Sequence, residues 1–471
     1  YSNTNYDLLR QRLQFNPLWC LGVQRKGMVI LMTKSAFKEF AKYSSLNVLG
    51  MLGLSCYILA DTFFVSKGLG ANGLAALNLA IPVYSFIHGS GLMAGIGGGT
   101  KYAIQKSQNN YEAANRAFSH AVYICCALAL LFVAIGLFFS DALAAFLGAE
   151  GQIYDMSRTY LKVILLFAPA FLFNNLLLCF VRNDGSPQLA MAAMITGSLS
   201  NVVLDWLFMF PFGMGIFGAV LATGLAPVIS MTLLSVHFIR RRNGFKLIKC
   251  RPDMRLTLSI LSGGVPSLVT EWSSGIVMIV FNSIILRLEG NIGVAAYGVI
   301  ANLSLVVIAV YTGIAQGIQP LISNGYGTGD YRKIKEVLKY ALLAMLLVSE
   351  AVYACVFFAA SGIAGIFNSE GSALLQTLAA QGMKLYFIAC PFAGFNVIIS
   401  MSFTSSERAR PAHIISLLRG FIIIIPAAFI LSRVAGLTGV WCAFPLTEAV
   451  VAVLGAAFYI AAQRRRTVGR I

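Results

Sequence analysis

The stretch "NVVLDWLF", residues 201–208, places an amide at Asn201 and a carboxyl group at Asp205 inside a long apolar run. Residues four apart share one face of an α-helix, so both polar groups point the same way and can serve a single site. Two further carboxyl groups, Asp61 and Glu271, lie in comparable apolar stretches. A carboxylate at the centre of a membrane helix costs about 2.5–3.5 kcal/mol on insertion scales, which makes all three functional candidates by default. The alternative is a carboxyl group pinned between helices by hydrogen bonds. Asp61 sits in "YILADTFFVSKGLG", and Asn174, Asn175 and Thr223 lie on neighbouring apolar segments of the same half of the chain. All can converge with Asn201 and Asp205. Two carboxylates with amide and hydroxyl oxygens are hard ligands that suit sodium, and burial favours the protonated carboxyl, so the same group of residues also suits a proton.

These side chains need elements to hold them, and the composition points to helices that cross a membrane. Of 471 residues, 58% are hydrophobic and 11% charged, against roughly 25% charged in a soluble domain. Apolar segments bounded by charges or Gly/Pro turns predict twelve crossings, at 44–66, 73–99, 117–139, 158–182, 189–211, 215–239, 258–287, 293–322, 334–360, 378–405, 412–433 and 436–462. The strict alternation of a membrane β-barrel is absent. With the amino terminus inside, about 28 of the 35 Lys and Arg fall on cytoplasmic loops or tails, led by "RRRNGFKLIKCRPDMR" (240–255), "YRKIKEVLK" (331–339) and "RRR" (464–466). The chain is therefore expected in the cell (inner or plasma) membrane, multi-pass, with both termini cytoplasmic. Its net charge of +17 reads as topology, and no nucleic-acid partner is expected. The nine cysteines lie mostly in apolar runs without CxxC spacing, so neither a disulfide frame nor a zinc site is expected. Residues 1–33 offer no apolar signal-peptide core and read as a non-native or disordered extension.

The chain repeats itself. A shift of 220 positions aligns Gly73, Ala75, Ala76, Gly97, Tyr111 and Ala121 with Gly293, Ala295, Ala296, Gly317, Tyr331 and Ala341 without a gap. Further on, Pro169 pairs with Pro391, Asn174 with Asn396, and "GIFG" (215–218) with "GLTG" (436–439). Six crossings per half is an even number, so both halves enter the membrane in the same direction, related by an axis along its normal. The expected fold is an all-α polytopic membrane protein, two pseudo-symmetric six-helix lobes around a central cavity, the geometry of secondary transporters. The expected division is an N-lobe at 34–239, a basic cytoplasmic linker at 240–257, a C-lobe at 258–462 and a basic tail at 463–471.

Over residues 34–462 the chain resembles the multidrug and toxic compound extrusion (MATE) transporters. The resemblance rests on the two six-helix halves, "ADTFFVSKGLG" after the first crossing, "NVVLDWLF" on the fifth and "GTGDYRKIKEVLKYA" leading into the ninth. It implies Asp61, Asn175, Asn201, Asp205 and Thr223 as sodium or proton ligands, with Na+ itself placed at Asp61, Asn201 and Asp205. It also implies outward export of organic cations by antiport, with no cofactor beyond the coupling ion, Na+ or H+. Where some relatives bend the first crossing at a proline, this chain has Gly50 and Gly53. Where others add aspartates on the tenth crossing, it has Asn396, so no second cation site is expected there. Glu271 is expected to face the central cavity and attract a cationic substrate, with Asn174, Asn396 and His88 as further cavity residues. For His88 a hydrogen-bonded packing role is the stronger reading over a proton relay. "GIGGGT" (95–100) follows no strand and lacks the Lys-Ser/Thr of a phosphate loop, so nucleotide binding is rejected. No metal cluster or nucleophile–base pair appears, and no enzyme activity is expected. The alternative function is a lipid-linked saccharide flippase of related two-lobe architecture, which calls for basic groups that are few in these crossings. The expected partners are small organic cations and the lipid bilayer, with the protein acting as a monomer.

Overall fold

The computed structural model describes residues 17–368 and 372–468, with side chains described from 35 to 464 within those segments. The first sixteen residues of the expected extension and the end of the basic tail lie outside them. Every regular element among the described residues is helical. Eight helices are long and apolar enough to span a membrane, and a bent pair, Gly151–Leu166 with Ala168–Asn183, makes a ninth span.

Three of these helices are too long for one crossing. Ser35–Ser107 has 73 residues, Met254–Gly327 has 74 and Ala409–Arg464 has 56. At 1.5 Å per residue a straight 73-residue helix would reach ~110 Å, more than three times the ~30 Å hydrocarbon core. Each is broken at a glycine with positive φ: Gly70 (φ 65°, ψ −154°), Gly290 (φ 63°, ψ −154°) and Gly436 (φ 56°, ψ −136°). Only glycine adopts this conformation freely. Counting each broken helix as two crossings gives the twelve segments expected from hydropathy.

The fourth crossing is not the single rod expected at 158–182. It bends by 47° between Leu166 and Ala168, because Pro169 has no N–H to continue the ladder. The pseudo-equivalent Pro391 follows a 3-10 turn, Phe387–Ala389. The eleventh crossing also departs from a plain helix, widening into a π turn at Leu418–Ile422. Pro426 withholds the donor that would have met the carbonyl of Ile422.

The repeat seen in the sequence recurs in the backbone. Gly70 and Gly290 are 220 residues apart with matching angles, and so are Asn109 (φ 60°) and Gly329 (φ 73°). The helices that follow are capped alike: Asn110 accepts from the N–H of Ala113 at 3.1 Å, and Asp330 from that of Lys333 at 2.9 Å. Buried apolar side chains form two large clusters, one running from Val65 to Ile260 and the other from Phe281 to Val451 with Phe40 added.

The two halves meet closely at one end. A Cβ on Gly317 would come within 2.7 Å of Ser44 Cα, and one on Gly97 within 2.9 Å of the Ile260 carbonyl carbon. These glycines were paired by the 220-residue shift, so the contact repeats itself about the pseudo-axis. Polar groups close the same end. Asn183 donates to Gln319 Oε1 (2.8 Å), Gln319 donates to Thr100 Oγ1 (3.1 Å), and Lys101 pairs with Glu407 (2.5 Å).

Candidate cation-coupling site

Asn201 and Asp205 project from the helix Pro187–Met209, and both are fully buried. In the amide orientation that satisfies both neighbours, Asn201 donates to Asp205 Oδ2 at 3.0 Å and accepts the backbone N–H of Thr223 at 3.2 Å. The second Asp205 oxygen, Oδ1, is buried without a partner, and so is Oδ1 of Asp61, itself 7% exposed. The two carboxyl groups are near enough for the charge of Asp61 to act on Asp205. Buried polar atoms are nearly always hydrogen-bonded. Two buried carboxyl groups of the first half thus each keep one oxygen without a partner.

The surroundings supply oxygen ligands. Thr223 lies on Gly215–Leu234 and gives its hydroxyl proton to the Ala219 carbonyl at 3.0 Å, which leaves oxygen lone pairs free. Four residues on, Pro227 lacks an N–H, so the Thr223 carbonyl loses its helical partner and stays available. Tyr160, from the Gly151–Leu166 arm of the bent fourth crossing, lies beside Thr223 and near both carboxyl groups. Sequence reasoning missed Tyr160 and the Thr223 carbonyl. A proline four residues after a polar residue in an apolar run was the available signal for the second; Pro169 signalled the bend, but nothing local tied Tyr160 to the acids.

His88, Asn174 and Asn175 line a neighbouring cavity of about 70 Å³, whose walls also include Tyr57, Arg182 and Thr223. At ~10–15 Å³ for each water centre it has room for several water molecules. Asn175 is tied to His88, donating to its Nδ1 and its carbonyl oxygen at 3.2 Å each, and no hydrogen bond joins it to either aspartate. His88 stacks on Tyr84 with ring centroids 5.8 Å apart, and the hydroxyls of Tyr84 and Tyr57 meet at 2.7 Å. A polar chain thus leads from His88 through the two tyrosines toward Asp61, whose charge reaches Tyr57. Asn174 lines the cavity, and its Oδ1 is buried without a partner.

Glu271 comes from the other half. It packs on Gly89, where an added Cβ would stand 3.1 Å from Glu271 Cβ, and its charge reaches Tyr84. Asn396 is placed differently. It is fully buried and its amide donates to Oε2 (2.7 Å) and the carbonyl (2.9 Å) of Glu448, away from the cavity lining. Glu448 in turn takes two bonds from Arg419, at 3.1 and 2.8 Å. Glu448 is thus already neutralised. The "GIGGGT" glycines serve packing: a Cβ on Gly95 would sit 2.9 Å from the Asn175 carbonyl oxygen.

A polytopic helical bundle with an unsatisfied acidic pair beside a polar cavity is built as a membrane transporter. The MatE family pattern matches residues 48–207 and 266–430, and the chain belongs to that family. It is similar to the multidrug export protein MepA of Staphylococcus saprophyticus, 24% identical over 421 residues covering 89% of this chain and 92% of that protein. It is also similar to MepA of Staphylococcus aureus, at 26% over 421 residues, covering 88% and 92%. A solved MATE in complex with MaL6 superposes with a TM-score of 0.86 at 25% identity, covering 93% of this chain and 98% of that one. An outward-facing multidrug resistance MATE transporter of the MOP superfamily gives 0.85 at 25%, covering 93% and 97%.

Proposed function

We propose that the protein is a multidrug efflux transporter that exports small organic cations by antiport with Na+ or H+. The observation that carries this reading is the pair of orphaned Oδ1 atoms on Asp61 and Asp205, with the other oxygen of Asp205 bonded by Asn201, which Thr223 braces in turn. Its support is the family membership and the likeness to multidrug export proteins. Asp61 and Asp205 bind the coupling ion, with Asn201 and Thr223 fixing Asp205 in place. Asn175 acts through His88 at the cavity wall, and Glu271 faces the cationic substrate from the other half. With the amino terminus cytoplasmic, the end closed by Gly97, Gly317 and Gln319 is the inner one.

An ion bound at the acids favours one arrangement of the first half, and the substrate favours the other. Equal affinity for both states would couple nothing. Moving one charge inward through 100 mV releases about 2.3 kcal/mol, and each 1.4 kcal/mol is tenfold, so one charge sustains a substrate gradient of roughly forty-fold. The test is export of a cationic dye from vesicles under a sodium gradient with the proton gradient collapsed, then the converse. One arm is expected to drive accumulation. Equal dye movement with and without either gradient would remove antiport from consideration.

A further inference from the structure

Arg182 closes the last turn of Ala168–Asn183 and is 1% exposed. Its Nη1 donates to Asn47 Oδ1 at 2.7 Å and to Gln316 Oε1 at 2.9 Å, while Nη2 meets Cys179 Sγ at 3.5 Å. All three acceptors are neutral. Nε is buried with no partner at all. Among the described residues no carboxylate pairs with this guanidinium, whereas Arg419 in the second half has Glu448 at 2.8 Å. Guanidinium stays protonated in proteins, and neutral hydrogen bonds do not repay the hydration a buried charge has lost. Something else must balance it.

The place for that balance is open beside it. Arg182 lines the polar cavity together with Asn174, Ser198 and Ser230, and the Ser230 hydroxyl is also buried without a partner. Asn175, seven residues earlier on the same helix, lies ~10 Å further along the cavity, whose lining also includes Thr223. The cavity therefore has a cationic floor, and among the described residues Arg182 is the one charged side chain in its lining. A guanidinium fork matches a carboxylate and also holds a simple anion through several N–H groups.

We propose that Arg182 anchors an anion subsite at the floor of this cavity, for a small singly charged anionic group: the carboxylate of a transported molecule or a free halide. The proposal deepens the efflux reading and rests on it. It adds that molecules carrying both a cationic and an anionic group are recognised at two separate points. The competing role for Arg182 is a clamp between the first, fourth and eighth crossings through Asn47 and Gln316. A clamp acts on every substrate alike.

Wild type, R182Q and R182K are reconstituted into vesicles and compared on rhodamine B, a cationic dye with a free carboxylate, and on its ethyl ester, the same cation with that group masked. Transport is measured in chloride and in isethionate, a bulky anion. Thermal midpoints of the purified proteins are read in sodium chloride, acetate and isethionate. For a substrate carboxylate, R182Q raises KM for rhodamine B about tenfold, as expected for ~1.4 kcal/mol, leaves the ester within about twofold, and R182K falls between. Acetate then raises the midpoint of wild type and not of R182Q. For a halide, isethionate slows wild type on both dyes and leaves R182Q unmoved, and chloride raises the midpoint of wild type alone. Equal loss on both dyes in R182Q, with no anion effect on rate or midpoint that depends on Arg182, overturns the subsite. If wild type moves neither dye, the efflux reading fails, and the midpoints alone decide whether Arg182 binds an anion.

Discussion

Replacing Asp205 by Asn is the most direct perturbation of the acidic pair. The amide has the size of the carboxyl group and still accepts from Asn201, so the contact at 3.0 Å survives while one negative charge disappears. Opposite unit charges ~4 Å apart at an effective dielectric of ~20 attract by about 4 kcal/mol. At 1.4 kcal/mol per decade this is about a thousandfold in affinity for the coupling cation. Asp61, still charged, keeps some of the attraction but lacks the second oxyanion. The half-saturating concentration of the coupling ion, read from dye export in vesicles, is expected to rise by about that factor, which abolishes export at ordinary gradients. The thermal midpoint without added sodium is expected to hold or rise, since two buried like charges no longer face each other. Export against a gradient at the wild-type rate by normally expressed D205N would refute the assignment.

Other parts of the molecule give their own tests. Burial pushes the Asp184 carboxyl up, but hydrogen bonds from Lys106, Tyr102, the Gly244 N–H and His237 more than offset this and hold it below the usual carboxylate value. A depressed acid stabilises the fold above its unfolded value near ~3.9 and loses that contribution as pH falls through its folded value. D184N should therefore be less stable than wild type by ~3 kcal/mol, with the gap constant from neutral pH to about 4 and narrowing below; a gap that ignores pH rules this out. E448Q strands Arg419 and should cost ~3–5 kcal/mol, most of it recovered in the R419M/E448M double variant. If the double variant is as unstable as the single one in denaturant unfolding, the pair is not what Glu448 serves. G95A presses on the Asn175 carbonyl oxygen at 2.9 Å, and overpacking of this kind costs ~1–3 kcal/mol. A lowered midpoint together with slower export is expected, and an unchanged midpoint would mean that the second and fourth crossings separate freely.

The crossings were legible because hydropathy over about 20 residues is a strong signal, and the gaps left at 67–72 and 288–292 fall on the glycines where the helices break, Gly70 and Gly290. Asn201 and Asp205 could be paired because helical spacing is local. What escaped depended on contacts distant in sequence. Tyr160, on the arm before the bend of the fourth crossing, lies near both acids, 45 residues before Asp205 in the chain. Asn396 looked like a cavity residue beside its counterpart Asn174, but it is held by Glu448, 52 residues away. Arg182 drew no attention as a basic residue at a helix end, the ordinary place for one. That its partners are Asn47 and Gln316, 135 and 134 residues distant and both neutral, cannot be read from spacing.

The pseudo-symmetry bears on how coupling works. The halves share their turns, caps and glycine contacts at a 220-residue offset, yet their buried polar groups have diverged. In the first half, oxygens of Asp61, Asn174 and Asp205 lack partners and Arg182 lacks a counter-charge. In the second, Arg419 and Glu448 neutralise one another, and Asn396 donates its amide to Glu448 while its Oδ1, like that of Asn174, lacks a partner. A ligand shifts a conformational equilibrium only by its difference in affinity between states. The unpartnered acidic pair lies in the first half, so on the proposed reading that half responds to the ion while the second serves as the surface it moves against. The closed end then acts as the pivot, because its glycine contacts at Gly97 and Gly317 are built alike on both sides of the axis.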